Sequence, residues 1–162
     1  MTKTSRIPYR FLFQHPAHFI ALGFGTGLLR PASGTWGTLP AIPIAWLSQQ
    51  YPTASIITII LLLIVGAWAA QITGKHLDEH DHSGIVIDEI AAFTIVLFVT
   101  GVTPITVLIA FVLFRFFDIV KPLPIRNIDR LMRNGMGVML DDLLAAVYTL
   151  LAFIALNHFF NF

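Results

Sequence analysis

Long runs without a formal charge constrain this chain more than any motif does. No Asp, Glu, Lys or Arg occurs from Pro31 to Gly74, from Ile90 to Phe114 or from Leu143 to Phe162, runs of 44, 25 and 20 residues. A bilayer core takes about 20 helical residues per crossing, so runs of this length fit membrane spans rather than the wetted surface of a soluble domain. The composition agrees, with 56% hydrophobic and 12% charged residues and a mean hydropathy of +0.78. The 162 residues suffice for one domain of a few helices. Cysteine is absent, which excludes disulfides, thiolate-bound zinc or iron–sulfur clusters, and any cysteine nucleophile. The basic residues form no lysine-rich arm, so nucleic acid is not an expected partner.

The placement of charge and punctuation predicts a topology. The first run breaks at Gln49-Gln50-Tyr51-Pro52-Thr53, which gives a hairpin. Its first arm, Thr38 to Ser48, is short and carries Pro40 and Pro43; its second, Ile56 to Ile72, is the strongest apolar helix. Lys3, Arg6, Arg10 and Arg30 place the N-terminal segment in the cytoplasm by the positive-inside rule, and the hairpin returns the chain there at Lys75. A single crossing next would strand Arg115, Lys121, Arg126, Arg130 and Arg133 outside. Gly101 and Pro104 instead split the middle run into a second hairpin, Ile85 to Thr100 and Ile105 to Phe117. Leu143 to Phe159 is a final span. The expected fold is therefore all-α: a polytopic membrane bundle of about five helices, two hairpins plus a C-terminal span, with every charge on one face. Phe11 to Leu29, interrupted by Gln14, His15, Pro16 and His18, reads as an N-terminal interfacial segment. With no small-residue cleavage site, it reads as part of the mature protein and not as a signal peptide.

All nine acids fall between Asp78 and Asp142. Asp88-Glu89 and Asp141-Asp142 each set two carboxylates at the mouth of an apolar helix, which is costly unless something cationic compensates. Such hard oxygen donors, with Asp118, suit magnesium, which keeps several waters and bridges carboxylates to a phosphate. Ordinary interfacial ion pairing accounts better for Asp78, Glu79 and Asp81. Asp118 and Lys121 share a helical face by i,i+3 spacing, and so do Arg126, Asp129 and Arg130. Lys121 and Arg126 are candidate phosphate cations, whereas Arg130 and Arg133 also fit a positive-inside anchor.

Gly23 to Thr38 is rich in glycine and hydroxyls. Its Gly25, Thr26, Ser33 and Thr35, with Arg30, could cradle a phosphate through backbone amides and one guanidinium, or its glycines could simply permit close helix packing. The loop has no Walker lysine. His80 and His82 flank Asp81; they could carry a proton or ligate a metal, or sit solvated in a polar loop.

Five features in order then resemble the phosphatidylglycerophosphatase A family of bacterial lipid phosphatases. They are Gly25-Thr26-Gly27 with Ser33-Gly34-Thr35-Trp36-Gly37-Thr38; His80-Asp81-His82 leading to Asp88-Glu89; Phe114-Arg115 to Asp118; Lys121-Pro122 to Ile125-Arg126; and Gly135-Met136-Gly137 to Asp141-Asp142. Many members have proline where this chain has Ser33. The resemblance implies a multi-pass enzyme of the bacterial inner membrane, among membrane lipids. It would use Mg2+ to hydrolyse phosphatidylglycerophosphate to phosphatidylglycerol and phosphate, facing the cytoplasm, in phospholipid biosynthesis. Asp88, Glu89, Asp118, Asp141 and Asp142 would hold the metal, which would polarise the phosphate and activate water. Lys121, Arg126 and the loop residues Gly25, Thr26, Arg30, Ser33 and Thr35 would steady the phosphoryl oxygens. No Asp-x-Asp pair and no Pro-Ser-Gly-His run point to an aspartyl-phosphate or histidine-nucleophile route. A divalent-cation transporter using the same carboxylates is the alternative.

Overall fold

The computed structural model describes residues 7–79, 82–123, 125 and 135–160. Among these there is no strand. The helices are α1 (Pro16–Ala21), α2 (Ser33–Thr38), α3 (Ala41–Ser48), α4 (Pro52–Leu77), α5 (Ile87–Thr100), α6 (Pro104–Val120) and α7 (Gly135–Phe160).

Local chemistry sets most of these boundaries. Pro16, Pro52 and Pro104 each occupy a first helical turn, where the missing N–H has no intrahelical acceptor to lose. His15 caps α1 by accepting the Ala17 N–H at Nδ1, 3.1 Å away. Thr103 and Thr106 form a reciprocal capping box at the start of α6. Asp78 and Lys121 end α4 and α6 in the left-handed conformation. Leu39 and Pro40 keep helical angles between α2 and α3. Pro40 cannot donate a backbone bond, however, so α2 ends before it, and the arm expected from Thr38 to Ser48 is helical as α3 from Ala41.

Helix α5 is the centre. Its Ile87, Ile90, Ala91, Ala92, Phe93, Val96 and Leu97 are all buried, as expected of a helix that is apolar all round. Helices α2, α3, α4, α6 and α7 all pack against it. Phe93 meets Phe111 and Phe114 of α6, with ring centroids 5.9 and 5.4 Å apart. Outward faces are apolar as well. Ile105, Leu108, Val112, Phe116 and Ile119 form an exposed stripe on α6, and Ile57, Ile60, Ile64 and Trp68 form one on α4. Such contiguous apolar surface suits lipid and not water.

At 26 residues each, α4 and α7 span about 39 Å, enough to cross a membrane. They are the two described helices whose length and hydropathy meet that requirement. With 8, 14 and 17 residues, α3, α5 and α6 reach only about 12, 21 and 26 Å. The N-terminal segment also differs from a single interfacial helix. It folds as a 3-10 turn over Tyr9–Phe13, then α1, then 3-10 turns over Gly23–Leu28 broken at Phe24 and Gly25. Helix α1 packs on α4.

Candidate functional site

The N-terminal ends of α2 and α5, the last turn of α6 and the second turn of α7 meet at one end of the bundle. They enclose a cavity of about 280 Å³ lined by Asp88, Glu89, Asp118, Asp141 and Asp142 together with Arg115, Lys121, Ser33 and Gly34. The five carboxylates drawn together are those expected from sequence. Asp88, Asp141 and Asp142 are buried.

Their counter-charges divide them. Arg115 Nη1 donates to Glu89 Oε1 at 2.9 Å and to Asp118 Oδ2 at 2.7 Å, bridging α5 and α6. Lys121 Nζ pairs with Asp141 Oδ2, bridging the end of α6 to α7. The helical face that i,i+3 spacing assigned to Asp118 and Lys121 together is thus divided. Helix α6 stops at Val120 and Lys121 turns left-handed (φ 44°), so its side chain leaves the helical face. Asp118 reaches back three residues to Arg115 instead. Glu89 Oε2 also accepts from Thr38 Oγ1 at 3.2 Å. The Glu89 backbone N–H donates to Asp88 Oδ1 at 3.0 Å, placing charge where the α5 dipole favours it.

Helix α2 closes the cavity. Ser33 Oγ donates to the Ser83 carbonyl, and Thr38 Oγ1 donates to the Gly34 carbonyl at 2.7 Å. A Cβ at Gly34 would lie 2.2 Å from Glu89 Oε1, so only glycine lets α2 approach the ion pair. Gly27 and Gly37 serve the same close approach further along, against the Gly84 carbonyl and the Val86 side chain. Glycine here acts mainly in packing. Of the proposed phosphate loop, Ser33 lines the acidic cavity, while Gly25, Thr26, Arg30 and Thr35 do not. Thr26 is spent on the Gly23 carbonyl at 2.8 Å. Arg30 lines a separate cavity of about 370 Å³ with Tyr9, Gly27 and His82.

Sequence reasoning left Arg115, Gly34 and Thr38 off the list of site residues. The signal for Arg115 was its i,i+3 spacing to Asp118. Gly34 and Thr38 stood in the family-like run Ser33 to Thr38, but their contact with Glu89 could not be read there, since it depends on how α2 meets α5. His82 is buried, not solvated, and its Nδ1 accepts from the Gly84 N–H at 3.0 Å. His80, Asp81, Arg126, Asp129, Arg130 and Arg133 lie outside the described residues. Away from the acids, His18 Nδ1 bonds Thr73 Oγ1 and its Nε2 bonds His76 Nδ1, both at 3.0 Å. Burial, with His76 and His15 nearby, lowers its pKa to about 4.

Five carboxylates face two cations among the described lining residues, a formal excess of three negative charges. Acids gathered this closely present several oxygen donors to one space. No three Asp, Glu or His side chains among the described residues converge into a ready-made cage. What the described residues offer is oxygen donors in ones and twos, a set that magnesium would accept only with waters and a phosphate completing its shell.

The model of the phosphatidylglycerophosphatase A family matches residues 19–157. Phosphatidylglycerophosphatase A of Haemophilus influenzae is 39% identical over 147 residues, covering 89% of this chain and 90% of that protein. Its Escherichia coli counterpart is 37% identical over 140 residues, covering 85% and 81%. A Bacteroides thetaiotaomicron protein named "Putative phosphatidylinositol-3-phosphatase" is 36% identical over 140 residues, covering 80% and 86%. No solved structure matches. A match through α1 to α7 that takes in every described residue of the acidic cavity leaves one conclusion: this chain belongs to the phosphatidylglycerophosphatase A family of lipid phosphatases.

Proposed function

We propose that the chain hydrolyses phosphatidylglycerophosphate to phosphatidylglycerol and inorganic phosphate, using Mg2+, at the cytoplasmic face of a bacterial inner membrane, as a step of phospholipid biosynthesis. The observation that carries the reading is the acidic cavity itself, with five carboxylates, Arg115 and Lys121 at the end of an apolar bundle. A phosphomonoester on a lipid needs this combination of a polar site at headgroup depth and apolar helices beside it.

In this reading all 162 residues form one integral-membrane domain. The arm α2–α3 and helices α4, α5, α6 and α7 are its five membrane segments. The capped, uncharged α5–α6 turn lies away from the cytoplasm, and the acids lie at the cytoplasmic end. Asp88, Glu89, Asp118, Asp141 and Asp142 would hold magnesium, which when bound polarises a phosphoryl group and stabilises its developing charge. Arg115 holds Glu89 and Asp118 in place across α5 and α6. Its Nε is buried without a partner among the described residues, leaving a donor available to a phosphoryl oxygen. Lys121 keeps Asp141 oriented and adds positive charge beside the phosphate. Ser33 and Gly34 line the same cavity, with Gly34 against the Arg115 guanidinium. Arg126 completes the proposed phosphate cations. The carboxylates gather in one cavity instead of stepping along a path, which favours hydrolysis over cation transport.

The test is phosphate release in detergent micelles by the purified protein, with magnesium and then with excess EDTA, alongside Asp88→Asn. Phosphatidylinositol 3-phosphate belongs in the same assay, given the name carried by one relative. Release from phosphatidylglycerophosphate that needs both metal and carboxylate is expected; full turnover by a folded Asp88→Asn enzyme would exclude the site.

A further inference from the structure

A second feature lies on the flank of the bundle that carries the acidic cavity. Ile42, Pro43 and Trp46 of α3, with Val102, Pro104 and Val107 at the α5–α6 turn, line an apolar cavity of about 400 Å³. We propose that this cavity receives the distal half of an acyl chain of the lipid whose phosphate is cleaved in the acidic cavity. The inference rests on the proposed lipid phosphatase reading and extends it to chain selectivity.

Three observations carry it. First, the same two walls bound both cavities. The arm α2–α3 contributes Ser33 and Gly34 to the acidic one and Ile42, Pro43 and Trp46 to the apolar one, while α6 contributes Arg115 and then Val107. Both walls pack on α5. Second, the depth matches an acyl chain. At 1.5 Å per residue, Val107 lies about 12 Å along α6 from Arg115, and Pro104 about 16 Å. On the opposite wall, Ile42 and Trp46 lie in α3, one helix further along the arm than Gly34 of α2. Half of a hydrocarbon core is about 15 Å thick, so a lipid with its phosphate among the acids has its chain ends at this depth. Third, the polar groups nearest the apolar cavity are already paired. Thr103 and Thr106 cap α6 reciprocally, and Thr106 Oγ1 also donates to the Gly101 carbonyl at 3.0 Å. That leaves side-chain hydrocarbon and the Trp46 ring as the surface a ligand meets.

Two experiments test the proposal. Val107→Trp fills the cavity without touching the acids. For this variant kcat/KM on dipalmitoyl phosphatidylglycerophosphate should fall on the order of 10-fold, the effect of removing one or two buried methylenes from contact. On the dihexanoyl lipid, whose chains end short of the cavity, it should stay within about twofold of wild type. Equal losses on both lipids, or none on either, would overturn the proposal. The wild-type protein gives the second readout, independent of any variant's folding. A palmitoyl chain bearing a diazirine near its end should crosslink to the peptides holding Trp46 and Val107; labelling confined to the outer faces of α4 and α7 would overturn the assignment. Crosslinking at Trp46 by a wild-type protein that cleaves neither lipid would support the chain site while removing the phosphatase reading.

Discussion

Replacing Gly34 with alanine separates site geometry from helix stability. Alanine favours a helix over glycine by up to about 1 kcal/mol, and Gly34 lies in α2, so backbone preference alone predicts a slightly more stable protein. The added Cβ, however, would sit 2.2 Å from Glu89 Oε1 and 2.8 and 2.9 Å from Arg115 Nη2 and Nη1. Ordinary contact requires the carboxylate to move by roughly 1 Å, and misplacing a reacting group that far can cost on the order of 100-fold in rate. Both obstructing groups are ends of flexible side chains, so they can yield and the fold survives. The expected result is a melting temperature within a few degrees of wild type and a 10- to 100-fold loss of kcat/KM for phosphate release, by order of magnitude. Wild-type turnover by Gly34→Ala would refute the reasoning, because it would mean that the Glu89–Arg115 geometry does not matter to the reaction.

Arg115→Ala leaves Glu89 and Asp118 facing each other without their shared cation, and removing one partner of a buried pair costs about 3 to 5 kcal/mol. The partial exposure of this pair puts the loss at the lower end, read as a fall in melting temperature together with lost activity. Arg115→Lys should restore stability better than activity, since one ammonium cannot reproduce the planar fork. The folded-state pKa of His18, about 4 against the ordinary 6.5, means that the native state binds fewer protons than the unfolded chain. Stability is therefore full above pH 6.5 and falls as the pH drops toward 4, and thermal melts of His18→Gln should show a smaller fall across that window. Thr103→Ala removes one half of the α6 capping box and should cost about 1 kcal/mol of stability, with phosphate release unchanged.

The acids could be found from sequence because setting charge beside apolar helices is expensive, and Asp88-Glu89, Asp118 and Asp141-Asp142 all stand at such helix ends. Asp88, Glu89, Asp118, Asp141 and Asp142 do converge. The hairpin break at Tyr51-Pro52 and the turn at Gly101 were legible because proline and glycine act locally, whatever the rest of the chain does. Partner choice was not. Asp118 pairs with Arg115 and not Lys121 because one residue, Lys121, takes left-handed angles at the end of α6. The role of the glycines was also hidden. A phosphate cradle and a close helix contact use the same residue type, and only the approach of Gly27 to Gly84 and of Gly34 to Glu89 distinguishes them. The shortness of the first arm, Thr38 to Ser48, was legible from Pro40 and Pro43, and its helix runs from Ala41 to Ser48.

The ion pairs of the cavity join residues far apart in the chain, 26 positions between Glu89 and Arg115 and 20 between Lys121 and Asp141. In each part of the cavity the order of synthesis therefore matters. Asp88 and Glu89 leave the ribosome before the arginine that neutralises one of them, and Lys121 waits for an acid on the last helix. A nascent chain stopped after α5 carries unmatched carboxylates at a helix mouth, and one stopped after α6 has a lysine but no Asp141. The cavity is complete only when α7 docks against α5 and α6. Chains that end before Asp141 and Asp142 thus lack the assembled site.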